Sequence, residues 1–222
     1  MITLFKKQLS MKWMSHLHIL VILSVLAFDS KSESLNDDFF DMSLGQLADI
    51  EITSVAKKPQ KLSLAAASIF VLNQEDIKRS GVTTIPDALR MVPGVQVAKL
   101  DSNKWAISIR GFNDIFSNKL LVLMDGRSVY SPFFGGTYWD TVDTVLEDIE
   151  RIEVIKGPGG TLWGANAVNG VINIITKHAK DSKGLYISAL AGNEERGKLT
   201  IRYGGDINSN TNYRIYAKGF EK

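Results

Sequence analysis

The chain has 222 residues, 45% of them hydrophobic, a formal net charge of +2 and no cysteine. That is enough apolar chain for one or two domains with a sizeable core. The small charge, with no basic stripe interleaved with aromatics, gives no ground for a nucleic-acid or polyanion partner, and the missing cysteines exclude disulfide frameworks, thiolate nucleophiles and cysteine zinc sites.

Lys6, Lys7 and Lys12 precede an uncharged run from His16 to Phe28 that is dense in Leu, Ile and Val. A basic flank before a short apolar stretch is the pattern of a secretory signal peptide. The stretch falls short of the roughly 20 residues that a membrane-spanning helix needs. We therefore expect an export signal over residues 1–30, cleaved between Ala27 and Ser34; a signal anchor or a buried amphipathic helix is the competing reading. Residues 31–61 form an N-terminal segment, acidic around Asp37, Asp38 and Asp41 and extended from Glu51 to Lys58.

The pattern then becomes globular. Ser68–Leu72 is a β-branched apolar run and reads as a strand. Asn73 can cap a helix that ends at Gly81, and Thr84 a second, with Pro86 and Asp87 in its first turn and Pro93-Gly94 as its stop. Val95 and Val97 open a strand. Trp105–Arg110 is another, with Trp105, Ile107 and Ile109 on one face. Leu120–Met124 is apolar throughout and expected to be buried on both faces, with a turn at Asp125-Gly126. Ser131–Thr137 reads as a loop rich in glycine and aromatics. Ile149–Ile155 alternates strictly, which would place Ile149, Arg151, Glu153 and Ile155 on one face and Glu150, Ile152, Val154 and Lys156 on the other. A glycine-rich connection, 157–170, would cross over to a last strand, Val171–Thr176.

After Lys183 three segments alternate with period two: Leu185 to Ala191, Lys198 to Tyr203, and Tyr213 to Lys218. The links Asn193–Gly197 and Gly204–Asn212 read as polar turns. Apolar side chains outward and polar ones inward is the pattern of a transmembrane barrel meander, although a soluble antiparallel sheet would alternate in the same way. Three strands cannot close, and an open edge is not viable in lipid. With the sequence stopping at Lys222, the expectation is an incomplete barrel and a truncated product.

The run from Gly157 to Gly164 invites a nucleotide-binding reading, which fails. Gly159 and Gly164 have phosphate-loop spacing, but Ala165 and Asn166 stand where Lys and Ser/Thr are required. Leu162 occupies the third glycine of the dinucleotide fingerprint. Catalysis fares no better. Glu150 and Glu153 point to opposite faces of a strand, and His178 is the one histidine outside the signal. No enzyme activity, metal site or cofactor is expected.

The block from Ile149 through Gly157-Pro-Gly-Gly-Thr-Leu-Trp-Gly-Ala-Asn-Ala-Val-Asn-Gly170 to Lys177 resembles the segment that closes the plug of TonB-dependent outer-membrane receptors. Ile85 to Val95, Ser108 to Asn113 and Leu121 to Arg127 resemble earlier plug motifs, in the same order. The resemblance covers residues 62–178 and runs on into residues 179–222 as the first barrel strands. It implies an α+β plug, with a small mixed β-sheet and short helices, followed by antiparallel strands of an incomplete transmembrane β-barrel.

The implied function is energy-coupled uptake of a scarce nutrient, such as an iron-siderophore or cobalamin, across the outer membrane. The implied partners are TonB with its inner-membrane energising complex, the outer membrane, and a small-molecule ligand such as a metal chelate. Ile50, Glu51, Ile52, Thr53, Ser54 and Val55 sit where the TonB box belongs; an extended β-branched segment can add to a partner's sheet edge, and an ordinary linker strand is the alternative. The resemblance places ligand contacts in two loops: Asp101, Ser102, Asn103 and Lys104 in the first, Tyr130, Phe133, Phe134, Tyr138 and Trp139 in the second. The rings could instead pack against the barrel wall or one another. Arg110, Arg127, Arg151 and Glu153 are expected at the plug–barrel interface, where paired charges give modest net stabilisation. A soluble periplasmic plug-like binding module and a non-functional product are the remaining alternatives.

Overall fold

The computed structural model describes residues 51–52, 60–61, 67–193 and 195–221. The predicted export signal and acidic segment lie outside them, as do residues 53–59. Strand β1 (Glu51–Ile52) pairs antiparallel with β2 (Gln60–Lys61), and Ile52 is buried.

β3 (Ser68–Asn73) runs straight into α1 (Gln74–Ser80). The Asn73 side chain accepts from the Asp76 backbone N–H at 2.8 Å, and the Asp76 carboxylate accepts from the Asn73 N–H at 3.3 Å. This reciprocal box satisfies two donors at the helix start. Thr84 caps α2 (Ile85–Leu89), its hydroxyl accepting from the Asp87 N–H at 3.2 Å and donating to the Asp87 carboxylate at 2.6 Å. The helix stops at Leu89, short of the stop expected at Pro93-Gly94. Met91 and Val92 donate to the carbonyls of Ala88 and Leu89, so the chain continues as tight turns.

β4 (Val95–Lys99) and β5 (Trp105–Ile109) form a hairpin. β6 (Leu120–Met124) turns at Asp125-Gly126, both with positive φ, into β7 (Arg127–Ser128). β8 (Tyr130–Ser131) and β9 (Gly136–Thr137) make a small ladder inside the predicted loop. β10 (Ile149–Lys156), α3 (Gly160–Trp163) and β11 (Gly170–Thr176) complete the plug. The central sheet has the order β3-β10-β11-β6-β7, with β11 and β6 parallel and the other neighbours antiparallel.

The main core lies on one face of this sheet. Leu72, Ile152, Val154, Ile172, Ile174, Leu120 and Val122 meet Ile77, Ile85 and Leu89 of the helices and Trp105, Ile107 and Ile109 of the hairpin. The opposite face carries a smaller cluster of Leu121, Leu123, Ile155, Val171 and Ala167. Successive residues of a strand serve opposite faces, so β6 needs to be apolar throughout, as its sequence is.

Two expectations for this region change. Strict alternation in β10 is broken: Ile149 pairs with Thr176 while Arg151 pairs with Ile175, leaving Glu150 as the extra residue of a bulge. The bulge turns Ile149 into the main core beside Ile152 and Val154, away from the face it would share with Ile155. The glycine-rich connection is also not a crossover. It joins the adjacent antiparallel strands β10 and β11 and contains one helical turn. Gly170 is required there, because a Cβ would stand 2.5 Å from the Ile155 carbonyl oxygen.

β12 (Gly184–Leu190), β13 (Gly197–Asn208) and β14 (Thr211–Glu221) form a separate antiparallel meander. Gly204–Asn212, expected as a turn, is mostly strand: Gly204 pairs with Arg214, Gly205 with Tyr213 and Asp206 with Asn212. Gly204 lets β13 pass the Ser182 carbonyl oxygen, which a Cβ would approach to 2.1 Å. Glycine here marks close backbone approach within a strand.

Candidate functional site

The plug and the meander meet through the polar face of the meander. In β13, Lys198, Thr200 and Arg202 alternate with Leu199, Ile201 and Tyr203; in β14, Arg214 and Lys218 alternate with Ile215 and Ala217. The register aligns Leu185 with Tyr203 and Ile187 with Ile201, then Ile201 with Ala217 and Tyr203 with Ile215. These residues share one face, on which Leu185, Ile187, Leu199, Ile201, Tyr203 and Ile215 are exposed. The other face turns to the plug, and Thr200 on it is buried.

Its cations are matched by plug oxygens. An Arg202 Nη1 donates to Asp148 Oδ1 at 2.7 Å, and Arg214 Nε lies 3.5 Å from Asp148 Oδ2. The Asp148 side chain is 1% exposed. Arg214 also donates to the Lys177 carbonyl at 3.0 Å and to Ser182 Oγ at 3.1 Å, tying down the link between plug and meander. Lys218 Nζ bonds both Asp143 carboxylate oxygens, at 2.6 and 2.7 Å. Lys198 Nζ donates to the Thr83 carbonyl at 2.6 Å. Burial pushes the pKa of neighbouring Lys177 down, and the Asp148 charge works against that shift.

The interface residues expected from the sequence, Arg110, Arg127, Arg151 and Glu153, all sit in the plug. Arg110 is exposed, with φ 60°, and its guanidinium lies beside Gly157. Arg127 is exposed on β7. Arg151 pairs with Glu150 and, at 2.8 Å, with the fully buried Glu153, all within β10. Asp143 and Asp148 of the plug make ion pairs with Arg202, Arg214 and Lys218 of the meander. No local motif marks them; a charged residue at alternate positions of a barrel strand was the available signal.

The second predicted ligand loop forms an aromatic group. Phe134 lies 5.0 Å from Phe116 and 4.9 Å from Tyr138, centroid to centroid, both tilted. Such tilted pairs add to plain burial. Phe133 is fully exposed, and Phe112 and Phe116 are largely so. Asp140, hydrogen-bonded to the Tyr138 hydroxyl, raises the Tyr138 pKa. Tyr130 is half-buried in β8. Trp139 leaves the group: it is 6% exposed and belongs to the main core with Trp105 and Val142. Phe116, from the loop before β6, joins the group and was not singled out from the sequence.

In the first loop, Asp101 and Ser102 line an open cleft of about 400 Å³ together with Asp87, Lys99, Trp105 and Glu195. Lys104 lies 3.9 Å from Asp101. Asn103 meets the second loop, sharing a narrower cleft with Trp139 and Asp140. Of the proposed box, Glu51 and Ile52 are paired with Gln60–Lys61, and Ile50, Thr53, Ser54 and Val55 fall outside the described residues.

A mixed-sheet domain that holds an antiparallel meander by its polar face, with the meander's apolar face exposed, has the form of a plug against a piece of barrel wall. The profile of the TonB-dependent receptor plug domain matches residues 61–171. The chain belongs to that family. It is 36% identical over 151 residues to the vitamin B12 transporter BtuB of Vibrio vulnificus, covering 67% of this chain and 24% of the relative. A BtuB of Vibrio cholerae is 31% identical over 147 residues, covering 65% and 23%. The chain thus spans about a quarter of the length of these curated relatives. Among solved structures, the ferric-catecholate import receptor Fiu of E. coli K12 superposes with a TM-score of 0.52 at 27% identity, over 74% of this chain and 22% of that one. FpvA of P. aeruginosa superposes at 0.58 over 76% and 22%, a likeness of fold alone at 22% identity.

Proposed function

We propose that this chain is the gate and the first wall strands of a receptor for energy-coupled uptake of a scarce nutrient, a corrinoid or an iron chelate, across the outer membrane. The observation that carries this reading is the two-sided meander, polar toward the plug and apolar outward. That arrangement suits a wall between lipid and a filled lumen and favours the membrane over a soluble periplasmic module. The ligand is taken by the aromatic group of Phe116, Phe133, Phe134 and Tyr138 together with Asp101, Ser102, Asn103 and Lys104 of the first loop. TonB engages the segment Ile50–Val55 by strand addition; the two-residue ladder that holds Glu51 and Ile52 is short enough to be exchanged for a longer one. The domain limits are 1–30, 31–61, 62–178 and 179–222, in the order signal, box-bearing segment, plug and wall.

The test is binding to the full chain in micelles, followed by tryptophan fluorescence, with cyanocobalamin and a ferric tris-catecholate as probes. Saturable quenching by one probe, weakened about tenfold or more by Phe134→Ala, is expected. No saturable quenching by either would remove the ligand assignment. Binding of a TonB C-terminal domain to the full chain, lost on Ile52→Pro, tests the box separately.

A further inference from the structure

Each ionic contact that the described residues make between the plug and β13–β14 has the same polarity: the carboxylate belongs to the plug and the cation to the strands. The cations form a compact set. Lys198 and Arg202 flank Thr200 on β13, Thr200 pairs with Lys218, and Gly204 next along that face pairs with Arg214. Arg202, Arg214 and Lys218 meet a short stretch of plug, Asp143 to Asp148, which leads into β10, while Lys198 donates to the Thr83 carbonyl.

Asp148 differs from Asp143 within this stretch. Asp143 serves one strand and its side chain is 39% exposed. Asp148 serves both strands, one oxygen toward each arginine, with its side chain 1% exposed. Its backbone is committed as well, since its carbonyl accepts from the Lys177 N–H at 2.8 Å at the end of the plug. A buried carboxylate flanked by two guanidiniums tolerates little displacement, because a charge moved off its partner is left desolvated.

Strand register needs such a device here. A one-residue slip would turn the apolar face inward and is opposed by the whole pattern. A two-residue slip keeps the faces correct, moves the strand by about 7 Å, and is opposed only by specific partners. We propose that Asp148 is the register-setting residue between plug and wall: it reads Arg202 and Arg214 together and so fixes how β13 and β14 are seated against the plug. This is a positioning role, independent of which ligand is carried and of TonB.

The chain has no cysteine, so two spin labels can be placed without background. Asn118→Cys marks the plug and Ile207→Cys the exposed face of β13. Electron–electron distance measurements on the full chain in micelles are expected to give one population. Asp148→Asn is expected to add a second, displaced by up to about 7 Å, while Lys218→Met, which breaks the more exposed pair, keeps one. A folded Asp148→Asn chain with a single unchanged distance would overturn the proposal, as would an equal displacement in Lys218→Met. If Asp148→Asn does not fold, Arg202→Met and Arg214→Met decide: a displaced population in either supports the role, and an unchanged distance in both overturns it.

Discussion

The plug sheet and the meander are built from the same alternating strands and bury opposite things. In β10 and β11 the apolar residues Ile152, Val154, Ile172 and Ile174 are fully enclosed, and a charge such as Glu153 survives only beside Arg151. In β13 and β14 the apolar residues Ile201, Tyr203 and Ile215 are exposed, while the enclosed positions are Thr200 and the cations bound by Asp143 and Asp148. The same period of two therefore says which residues share a face, and the surroundings decide which face is inside. Water selects one solution for the plug, and under the proposed function lipid selects the other for the meander.

Parallel substitutions break this contrast at graded cost. Ile174→Lys places an uncompensated charge in the plug core and is expected to destabilise by more than about 4 kcal/mol, abolishing cooperative urea unfolding. Asp148→Ala removes the buried carboxylate that pairs with two half-buried arginines and is expected to cost about 3–5 kcal/mol, visible as a lowered denaturation midpoint of the full chain in micelles. Ile201→Lys, the counterpart of the first on the exposed face, is expected to cost about 2–4 kcal/mol in a bilayer if it sits near the midplane, falling to about 0–1 near the interfaces; the same comparison in aqueous denaturant without lipid is expected to give almost none. Asn73→Ala removes the reciprocal cap at the start of α1 and is expected to cost about 1 kcal/mol in thermal unfolding. A cost for Ile201→Lys as large as that for Ile174→Lys in water would erase the distinction between the two regions.

Much of the plug was legible because its signals are local. Asn73 with Asp76, Thr84 with Asp87, and Asp125-Gly126 act within a few residues, and each is found in the role its neighbours imply. The apolar run of β6 was legible because both faces of that strand are covered. The bulge at Glu150 was not, since it is defined by pairing with Thr176 and Ile175 some 25 residues away. Gly204 and Gly205 read as turn residues because glycine marks both turns and close approaches, and only the positions of Ser182 beside Gly204 and Tyr213 beside Gly205 separate the two. Trp139 reads as part of an aromatic loop until Trp105 and Val142 are seen around it. The contacts of Asp148 with Arg202 and Arg214 span 54 and 66 positions, and no spacing rule reaches so far.

The direct test of the two-sided meander is spin-label accessibility along β13, residues 198 to 203, in the full chain reconstituted into lipid bilayers. A period of two is expected. Labels at 199, 201 and 203 collide readily with dissolved oxygen, which concentrates in lipid, and labels at 198, 200 and 202 are shielded from both oxygen and a water-soluble nickel chelate. Uniform access to the nickel chelate at all six positions, or no alternation at all, would contradict it.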